Sequence, residues 1–371
     1  MNFIISQSDL DKNLQTVRTI INSKNTNPIL DNFLFIVEPG HLRIIGSDGS
    51  ATISTEMPLE ASGSGIYAIP ADKLATTIHS LYDQPLTFTF DNNQLRITAE
   101  KGKYNLPVLP GEDFPLPAEI ENPFERKIAG SQLGEAISKT IFATANDELR
   151  EVMNGLLFHF KPSNLNIVAT DAHKLVRYGI MDIQHEGEED YQYILPKKTM
   201  HILRNLAAKT EDDVLMRFSD RKAEFVFDNI RLSTTLIEGK YPQYEMVIPV
   251  DNPFTLVVDR KSFIDSLKRV TYFANQSTFL VELSLNGTVL RIKANNPEMA
   301  SEAEEELTAN YSGEDLSIGF NGRSLSEMLS ALDSEEVEMT FSDPKRATLI
   351  RPLDGLADNE DILMLLMPIA L

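Results

Sequence analysis

Apolar residues recur along this chain with two spacings, one typical of helices and the other of strands. In the first third of the sequence, Leu10, Leu14 and Val17 lie three or four residues apart, and Ser8 precedes them as a candidate N-cap. Segment 33–37 has the apolar and aromatic composition of a strand. The pattern predicts a strand, a helix, several strands, a second helix and further strands. That order is typical of an α+β domain.

The predicted order of elements occurs three times. A strand followed by a small residue and then Asp or Asn begins at Leu42, at Leu165 and at Leu290, with spacings of 123 and 125 residues. The tripeptide Asn-Pro-Phe opens both later copies, at 122–124 and 252–254. We therefore predict three tandem domains, each with helices on one face of an antiparallel sheet. Their predicted bounds are 1–124, 125–251 and 252–371.

Charge and composition limit the possible partners. The 371 residues include 34 Lys and Arg against 55 Asp and Glu, which gives a formal net charge of −21. This acidic excess argues against tight, direct binding of a polyanion, because a nucleic-acid backbone attracts clustered cations. Any nucleic-acid role must therefore be topological or confined to a locally basic face. The sequence has no cysteine, no signal-peptide pattern and no apolar run of 18 residues, so a cytoplasmic protein is expected.

Segment 170–173 (Thr-Asp-Ala-His) raises the alternative of a metal-dependent hydrolase that uses Asp171 and His173. A metal site needs three or four ligands with supporting contacts. The six histidines form no His-Glu-x-x-His motif, and the other repeats have Gly-Ser at 49–50 and Pro-Glu at 297–298 in the equivalent place. The sequence therefore predicts no catalytic residue, no metal and no cofactor. An oligomeric scaffold unrelated to DNA is a second alternative.

Seven short motifs carry a more specific signal. They are Asn27-Pro-Ile-Leu30, Asn154-Gly155, Ala169–Leu175, Glu238–Tyr244, Ala294–Glu298, Ile318–Asn321 and the Met367-Pro368 tail. In this order, and over the whole chain, they resemble the bacterial DNA polymerase III beta subunit family, the sliding clamps. The resemblance implies three tandem DNA-clamp domains with antiparallel sheets outside and helices lining a central hole, closed into a ring by head-to-tail homodimerisation. It also implies a non-catalytic processivity factor of DNA replication that encircles and slides on duplex DNA, with no membrane association.

The resemblance further implies a peptide-binding pocket between the second and third domains. Through this pocket the family binds the replicative polymerase alpha subunit, the clamp loader, and other polymerases and repair proteins that carry clamp-binding peptides. The matching positions are Met153, Thr170, Ala172, His173, Lys174, Leu175, Pro242, Met246, Val247, Ala347, Leu365, Leu366, Met367, Pro368, Ile369, Ala370 and Leu371. Ala172 stands where the family usually has Gly, Lys174 replaces Arg, and Met246 and Ala370 occupy positions that often hold Arg. A less basic rim is therefore expected.

DNA-facing and dimer-interface residues are also implied by the resemblance. The DNA-facing positions are Lys24, Lys73, Arg150, Lys197 and Lys198, and further basic residues on predicted helices are Lys12, Arg18, Lys139, Arg204, Lys268, Arg269 and Arg323. The interface positions, on the first domain of one chain and the third of the other, are Lys73, Arg96, Lys103, Tyr104, Leu106, Tyr272, Phe273, Glu298, Glu302 and Glu305. Aromatic residues would form an apolar centre. The acidic run 302–306, whose composition otherwise indicates a solvated helix face, would meet basic residues of the partner.

Overall fold

The computed structural model describes residues 1–22, 25, 27–91, 93–185 and 187–371 of the chain. These residues form two compact units, Met1–Gly134 with His201–Leu236 and Glu135–Met200 with Ile237–Leu371. The second predicted domain contributes residues to both units, because its strands join two different sheets. The domain bounds at 124/125 and 251/252 differ from the bounds of these units and stay predictions.

The α-helices of the described residues follow the predicted order, with two in each predicted domain. They are α1 (Gln7–Arg18), α2 (Ala71–His79), α3 (Gly130–Thr140), α4 (Lys197–Ala207), α5 (Arg260–Thr271) and α6 (Gly322–Ser330). In α1, Leu10, Leu14 and Val17 are buried as predicted. The prediction of Ser8 as N-cap was wrong, because the helix already begins at Gln7; Ser6 is the N-cap, and its hydroxyl accepts a hydrogen bond from the N–H of Asp9. None of the helices in the described residues is long and apolar enough to cross a membrane.

Strands account for most of the remaining regular structure. They are β1 (Asn2–Ser6), β2 (Asn32–Glu38), β3 (Gly40–Ser47), β4 (Ala51–Leu59), β5 (Gly65–Pro70), β6 (Pro85–Asp91), β7 (Gln94–Thr98), β8 (Lys103–Pro107), β9 (Leu109–Pro110), β10 (Phe124–Ala129), β11 (Gly155–Lys161), β12 (Asn164–Thr170), β13 (Lys174–Ile180), β14 (Tyr191–Pro196), β15 (Asp213–Phe218), β16 (Lys222–Phe227), β17 (Ile230–Thr235), β18 (Phe254–Asp259), β19 (Leu280–Asn286), β20 (Val289–Asn296), β21 (Ser301–Thr308), β22 (Asn310–Ser312), β23 (Leu316–Asn321), β24 (Glu336–Phe341), β25 (Thr348–Pro352) and β26 (Glu360–Leu366).

The first unit contains two antiparallel sheets. Four strands pair in the order β1-β6-β7-β8, and nine pair in the order β10-β15-β16-β17-β4-β3-β2-β5-β9. The nine-stranded sheet is continuous because β17 pairs with β4, which places Ile230 opposite Thr55. Helix α1 packs against α2 and against β3 and β4. Leu42 of β3 and Leu74 of α2 are fully buried in this core.

The second unit has the same plan. Its nine-stranded sheet has the order β14-β11-β12-β13-β26-β25-β24-β18-β22, and its four-stranded sheet has the order β21-β20-β19-β23. Here β13 pairs with β26, which places Tyr178 opposite Ile362. Helix α5 packs against α6, β20 and β21. Helices against antiparallel sheets are the predicted α+β arrangement, and that prediction is confirmed.

The acidic run 302–306 is part of β21, so its interpretation as a helix face was wrong. Exposed and half-buried residues alternate along β21, which pairs antiparallel with β20. Arg291 of β20 lies 2.5 Å from the Glu306 carboxylate, and Lys293 lies 2.6 Å from that of Glu302. These cross-strand ion pairs favour the strand over the helix that Glu and Ala prefer in isolation.

Candidate peptide-binding site

Residues 170–174 form the turn of a β-hairpin between β12 and β13. The Asp171 carboxylate accepts hydrogen bonds from the N–H groups of His173 at 2.9 Å and Lys174 at 2.8 Å. Its other oxygen lies 3.0 Å from the Lys174 ammonium. The Thr170 hydroxyl accepts from the Ala172 N–H at 3.1 Å and donates to the Lys174 carbonyl at 2.8 Å. The Asp-x-His sequence thus builds a turn, and the described residues contain no group of three or more His, Asp or Glu side chains that could hold a metal.

The C-terminal tail continues from β26 past this turn. The Met367 N–H donates to the His173 carbonyl at 2.9 Å, and the Ile369 N–H donates to the Gly319 carbonyl at 2.8 Å. A Cβ at position 319 would lie 2.6 Å from the Ile369 carbonyl oxygen, so glycine is needed for this close approach. The tail is therefore fixed at two points, the hairpin turn and β23.

A buried apolar cluster forms the floor beneath these elements. Its members are Leu157, Val168, Leu175, Ile194, Tyr241, Tyr244, Ala347, Leu349, Leu363 and Leu365. Three of the predicted pocket residues, Leu175, Ala347 and Leu365, belong to it, and Val152 and Ile248 pack against it. Met153, which is half-buried, and Ala370, which is exposed, are outside the cluster.

Elements that enter this cluster also carry exposed apolar side chains. In the 3-10 turn Tyr244–Val247, Tyr244 is buried while Met246 is 79% and Val247 57% exposed. In the tail, Met367 is 38% and Leu371 62% exposed. Exposed apolar side chains beside an apolar floor suit an apolar ligand, and methionine adapts its shape to different ones. We call Met246, Val247, Met367 and Leu371 the apolar rim.

The other predicted pocket residues differ in exposure. Pro242, Pro368 and Ile369 are half-buried, Thr170 and Leu366 are buried, and Ala172 and His173 are exposed.

The Lys174 ammonium of the candidate site is paired with two carboxylates. The Lys174 side chain is 11% exposed and lies 3.0 Å from the Asp171 carboxylate and 3.6 Å from that of Glu327. Arg177, further along β13, pairs with Asp361. The less basic rim expected from the sequence is consistent with these pairings and stays a prediction.

The predicted DNA-facing residues lie in several settings. Lys24 lies outside the described residues. Lys73 is exposed on α2, and Lys197 and Lys198 begin α4. Arg150 donates from Nε to the Asp147 carboxylate at 2.8 Å, and this bond lowers the pKa of Asp147.

Lys139, one of the further basic residues on predicted helices, is not available to DNA. Its side chain is 6% exposed, and its ammonium lies 2.5 Å from Glu135 and 3.0 Å from Asp333. Burial opposes the charged form, but the two carboxylates outweigh it and raise the pKa of Lys139. Lys139 therefore joins α3 to the segment after α6.

Some of the predicted interface residues lie on edge strands. In the first unit, β8 is the last strand of the four-stranded sheet and carries Tyr104, half-buried, and Leu106, buried. In the second unit, β21 is an edge of its own four-stranded sheet. Tyr272 and Phe273 follow α5, are 81% and 40% exposed, and meet edge-to-face with ring centroids 5.9 Å apart.

The charged interface candidates already have partners within the chain in several cases. Arg269 makes two hydrogen bonds to the Glu305 carboxylate, both at 2.6 Å, and Lys293 pairs with Glu302. The Arg96 guanidinium donates to the Asn105 side chain at 3.3 Å. Lys73, Lys103 and Glu298 are exposed.

The sequence reasoning missed the polar groups of the floor and its buried neighbours. Burial raises the pKa values of the Tyr241 and Tyr244 hydroxyls, which therefore stay protonated. Tyr241 donates to the Val168 carbonyl at 3.5 Å, and the Tyr244 hydroxyl lies 2.9 Å from Nδ1 of His159. The only signal in the sequence was the motif Glu238–Tyr244, which contains both tyrosines.

Comparisons with known proteins cover the whole chain. Family models of the DNA polymerase III beta subunit match its N-terminal domain at 1–118, its central domain at 127–243 and its C-terminal domain at 245–370. The beta sliding clamp of Pseudomonas aeruginosa is 31% identical over 373 residues, with both chains covered completely.

Solved structures agree with these matches. A sliding clamp (DNA polymerase III subunit beta) from Pseudomonas aeruginosa bound to griselimycin has a TM-score of 0.94 at 30% identity, with 100% of both chains covered. The corresponding protein from Bartonella birtlesii bound to griselimycin has a TM-score of 0.91 at 27% identity, again with 100% of both chains covered. The chain therefore belongs to the DNA polymerase III beta subunit family, the bacterial beta sliding clamps, which are non-catalytic processivity factors of DNA replication.

Proposed function

We propose that this clamp works as a head-to-tail homodimeric ring that encircles duplex DNA in the cytoplasm. It tethers the replicative polymerase alpha subunit to the DNA through the site of the second unit. The clamp loader, other DNA polymerases and repair proteins with clamp-binding peptides use the same site. Binding to DNA is topological and independent of sequence.

The observation that carries the tethering role is the apolar rim above the buried cluster. Met246 and Leu371 expose most of their side chains, although each follows a buried floor residue, Tyr244 and Leu365 respectively, within a few residues of the chain. A short peptide with apolar side chains would cover this surface and bury it. The Pseudomonas aeruginosa and Bartonella birtlesii relatives were solved bound to griselimycin. We propose that griselimycin binds this chain at the apolar rim.

The net charge supports a topological mode of holding DNA. A protein with a charge of −21 has little general attraction for a polyanion. A closed ring needs none, and weak attraction lets it slide. We propose that Lys24, Lys73, Arg150, Lys197 and Lys198 supply sparse positive charge toward the DNA.

Loading onto circular and linear DNA tests the ring. Clamp loaded by its loader onto a nicked circle should remain bound through gel filtration. It should be lost when one restriction cut linearises the circle, because the ring slides off a free end. Retention on the linear product, with both ends unblocked, would contradict topological binding.

Removal of the tail tests the tether independently. A variant that lacks Met367–Leu371 loses two of the four rim residues. It should bind griselimycin and a polymerase-derived peptide at least about 100-fold more weakly, since a few anchor residues carry most of such binding energy. Sedimentation should still show a dimer. Loss of the dimer, or undiminished binding, would refute the proposed role of the tail.

A further inference from the structure

The 3-10 turn that presents Met246 and Val247 is held to the rest of the second unit by its first residue, Tyr244. Tyr244 begins the turn and is 3% exposed, whereas the two apolar side chains that follow it point toward solvent. The Met246 N–H donates to the Gln243 carbonyl at 3.1 Å. Because so short a turn has few hydrogen bonds of its own, its position depends on what holds Tyr244.

A buried histidine holds Tyr244. His159 of β11 is 3% exposed; its Nδ1 lies 2.9 Å from the Tyr244 hydroxyl and its Nε2 lies 2.9 Å from an Asp190 carboxylate oxygen. The two rings meet edge-to-face with centroids 5.8 Å apart. The Gln192 side-chain amide lies 3.3 Å from the same Nε2. His159 thus lies between a carboxylate and the turn of the peptide-binding site.

The partners fix the direction of the hydrogen bonds. A carboxylate only accepts, so Nε2 carries the proton that is donated to Asp190, and in that tautomer Nδ1 is an acceptor. The Tyr244 hydroxyl donates to that acceptor, while its oxygen receives the Asn166 amide N–H at 3.4 Å. The chain from Asn166 through Tyr244 and His159 to Asp190 is complete, with a partner at each step.

A second tether reaches the turn from the same strand. Lys161 is two residues after His159, on the same face of β11, and its ammonium lies 2.5 Å from the Glu245 carboxylate. Two consecutive residues of the turn are therefore tied to two alternate residues of one strand. The Glu245 side chain is about half exposed, so the buried His159–Tyr244 bond is the stronger constraint.

The corresponding place in the first unit lacks this polar chain. The pair Ile36–Arg43 in strands β2 and β3 lies 123 residues before the pair His159–Asn166 in strands β11 and β12. Ile36 therefore occupies the position of His159, and it packs against an apolar cluster. The fold shared by these two units therefore does not require histidine at this position, and the histidine belongs to the unit that carries the apolar rim.

We infer that His159 and Asp190 are positioning residues that fix Tyr244, and through it the Met246 and Val247 side chains, in the arrangement that binds an apolar peptide. The inference rests on the proposed peptide-binding function and deepens it. Neither His159 nor Asp190 touches the ligand. Their effect is to hold the turn before the ligand arrives, so that less ordering is required on binding.

Griselimycin affinity of the full-length dimer, measured by calorimetry, tests this inference. Tyr244→Phe and His159→Gln each remove the bond to Nδ1, and each should weaken binding by about five- to tenfold, the effect of one lost buried hydrogen bond. His159→Asn keeps an acceptor close to the position of Nδ1 and should bind within about twofold of the parent. The double variant Tyr244→Phe/His159→Gln should be no weaker than either single one, because both remove the same bond.

Hydrogen exchange separates positioning from general stability. In the unliganded Tyr244→Phe protein, exchange should rise in residues 244–247 and stay unchanged in β12 and β26. Tyr178→Phe is the matched control, since it removes another buried tyrosine hydroxyl of the same unit, and it should leave affinity unchanged.

Two outcomes overturn the inference in different ways. The first is parent-like affinity in Tyr244→Phe and His159→Gln, which would mean that the bond does not position the turn. Equal losses of affinity in His159→Asn and Tyr178→Phe, with exchange raised throughout the unit, would likewise mean that His159 has only a structural role. If the parent protein binds neither griselimycin nor a polymerase-derived peptide, the proposed function itself fails, and the inference fails with it.

Discussion

Ala172 has an unusual backbone conformation for an alanine. Its φ is +75°, in the left-handed region that L-residues with a Cβ rarely adopt. The equivalent residue of the first repeat is Gly49, with a φ of +90°. The sequence resemblance also indicates glycine at position 172. The hairpin tip in the candidate peptide-binding site is therefore strained, and its hydrogen bonds to Asp171 and Thr170 hold it in place.

Replacement of Ala172 by glycine should release this strain. The left-handed conformation costs alanine about 1–2 kcal/mol, and glycine loses part of that gain through its freer unfolded chain. We expect Ala172→Gly to raise the free energy of unfolding by about 0.5–1 kcal/mol, measured from urea denaturation.

The reverse substitution is the matched control. Gly49→Ala places a Cβ 3.7 Å from Leu30, an ordinary contact, so only the backbone conformation is penalised. It should lower stability by about 1 kcal/mol. Equal stability in both variants and the parent would show that neither turn is strained.

At the scale of elements, local patterns predicted more than long-range pairings did. Helix α1 follows from the spacing of Leu10, Leu14 and Val17, which depends only on neighbouring residues. The strand β21 could not be predicted from local spacing, because its Glu residues become favourable in a strand only through Arg291 and Lys293 of β20. Nor does any local pattern reveal that β26 pairs with β13.

Helix α5 offers a prediction about pH. The Asp259 carboxylate caps the helix by accepting a hydrogen bond from the Ser262 N–H at 2.7 Å, and its bonds to Ser262 lower its pKa. A lowered carboxyl pKa contributes stability that is present above the unfolded-state pKa of about 3.9 and lost as pH falls through the folded value. Asp259→Ala should therefore reduce stability by about 1 kcal/mol at pH 7. Its difference from the parent should disappear as the pH falls below the lowered folded-state pKa of Asp259.

Helix α6 supplies a control without charge. Its N-cap is Asn321, whose side-chain oxygen accepts from the Ser324 N–H at 3.0 Å. Asn321→Ala should lower the free energy of unfolding by a similar amount, about 1 kcal/mol. Its difference from the parent should be the same at neutral and at acidic pH. A pH-independent effect of Asp259→Ala in the same urea experiments would mean that the carboxylate charge does not matter.

At the scale of the whole molecule, the threefold repeat predicted the architecture and the motifs indicated the family. The repeat also separated the turn of segment 170–173 from an active site, since the other copies have no histidine there. The floor of the site was less accessible to sequence reasoning. Leu157 of β11 is far in the chain from Leu349 of β25 and Leu363 of β26, and only the folded sheet brings them together. His159 carries no local signal at all.

The dimer interface can be tested at Tyr272 and Phe273. These two aromatic side chains are exposed in the single chain, and buried aromatic residues near an interface centre commonly contribute 2 kcal/mol or more to association. The variant Tyr272→Ala/Phe273→Ala should therefore raise the dimer dissociation constant by at least about 30-fold. Sedimentation velocity over a concentration series measures it, and far-UV circular dichroism should show an unchanged fold. Tyr82→Ala removes a tyrosine that is 90% exposed after α2, outside the proposed interface, and should leave the dimer intact. If both variants dissociate alike, or if neither does, the head-to-tail contact does not use these aromatic residues.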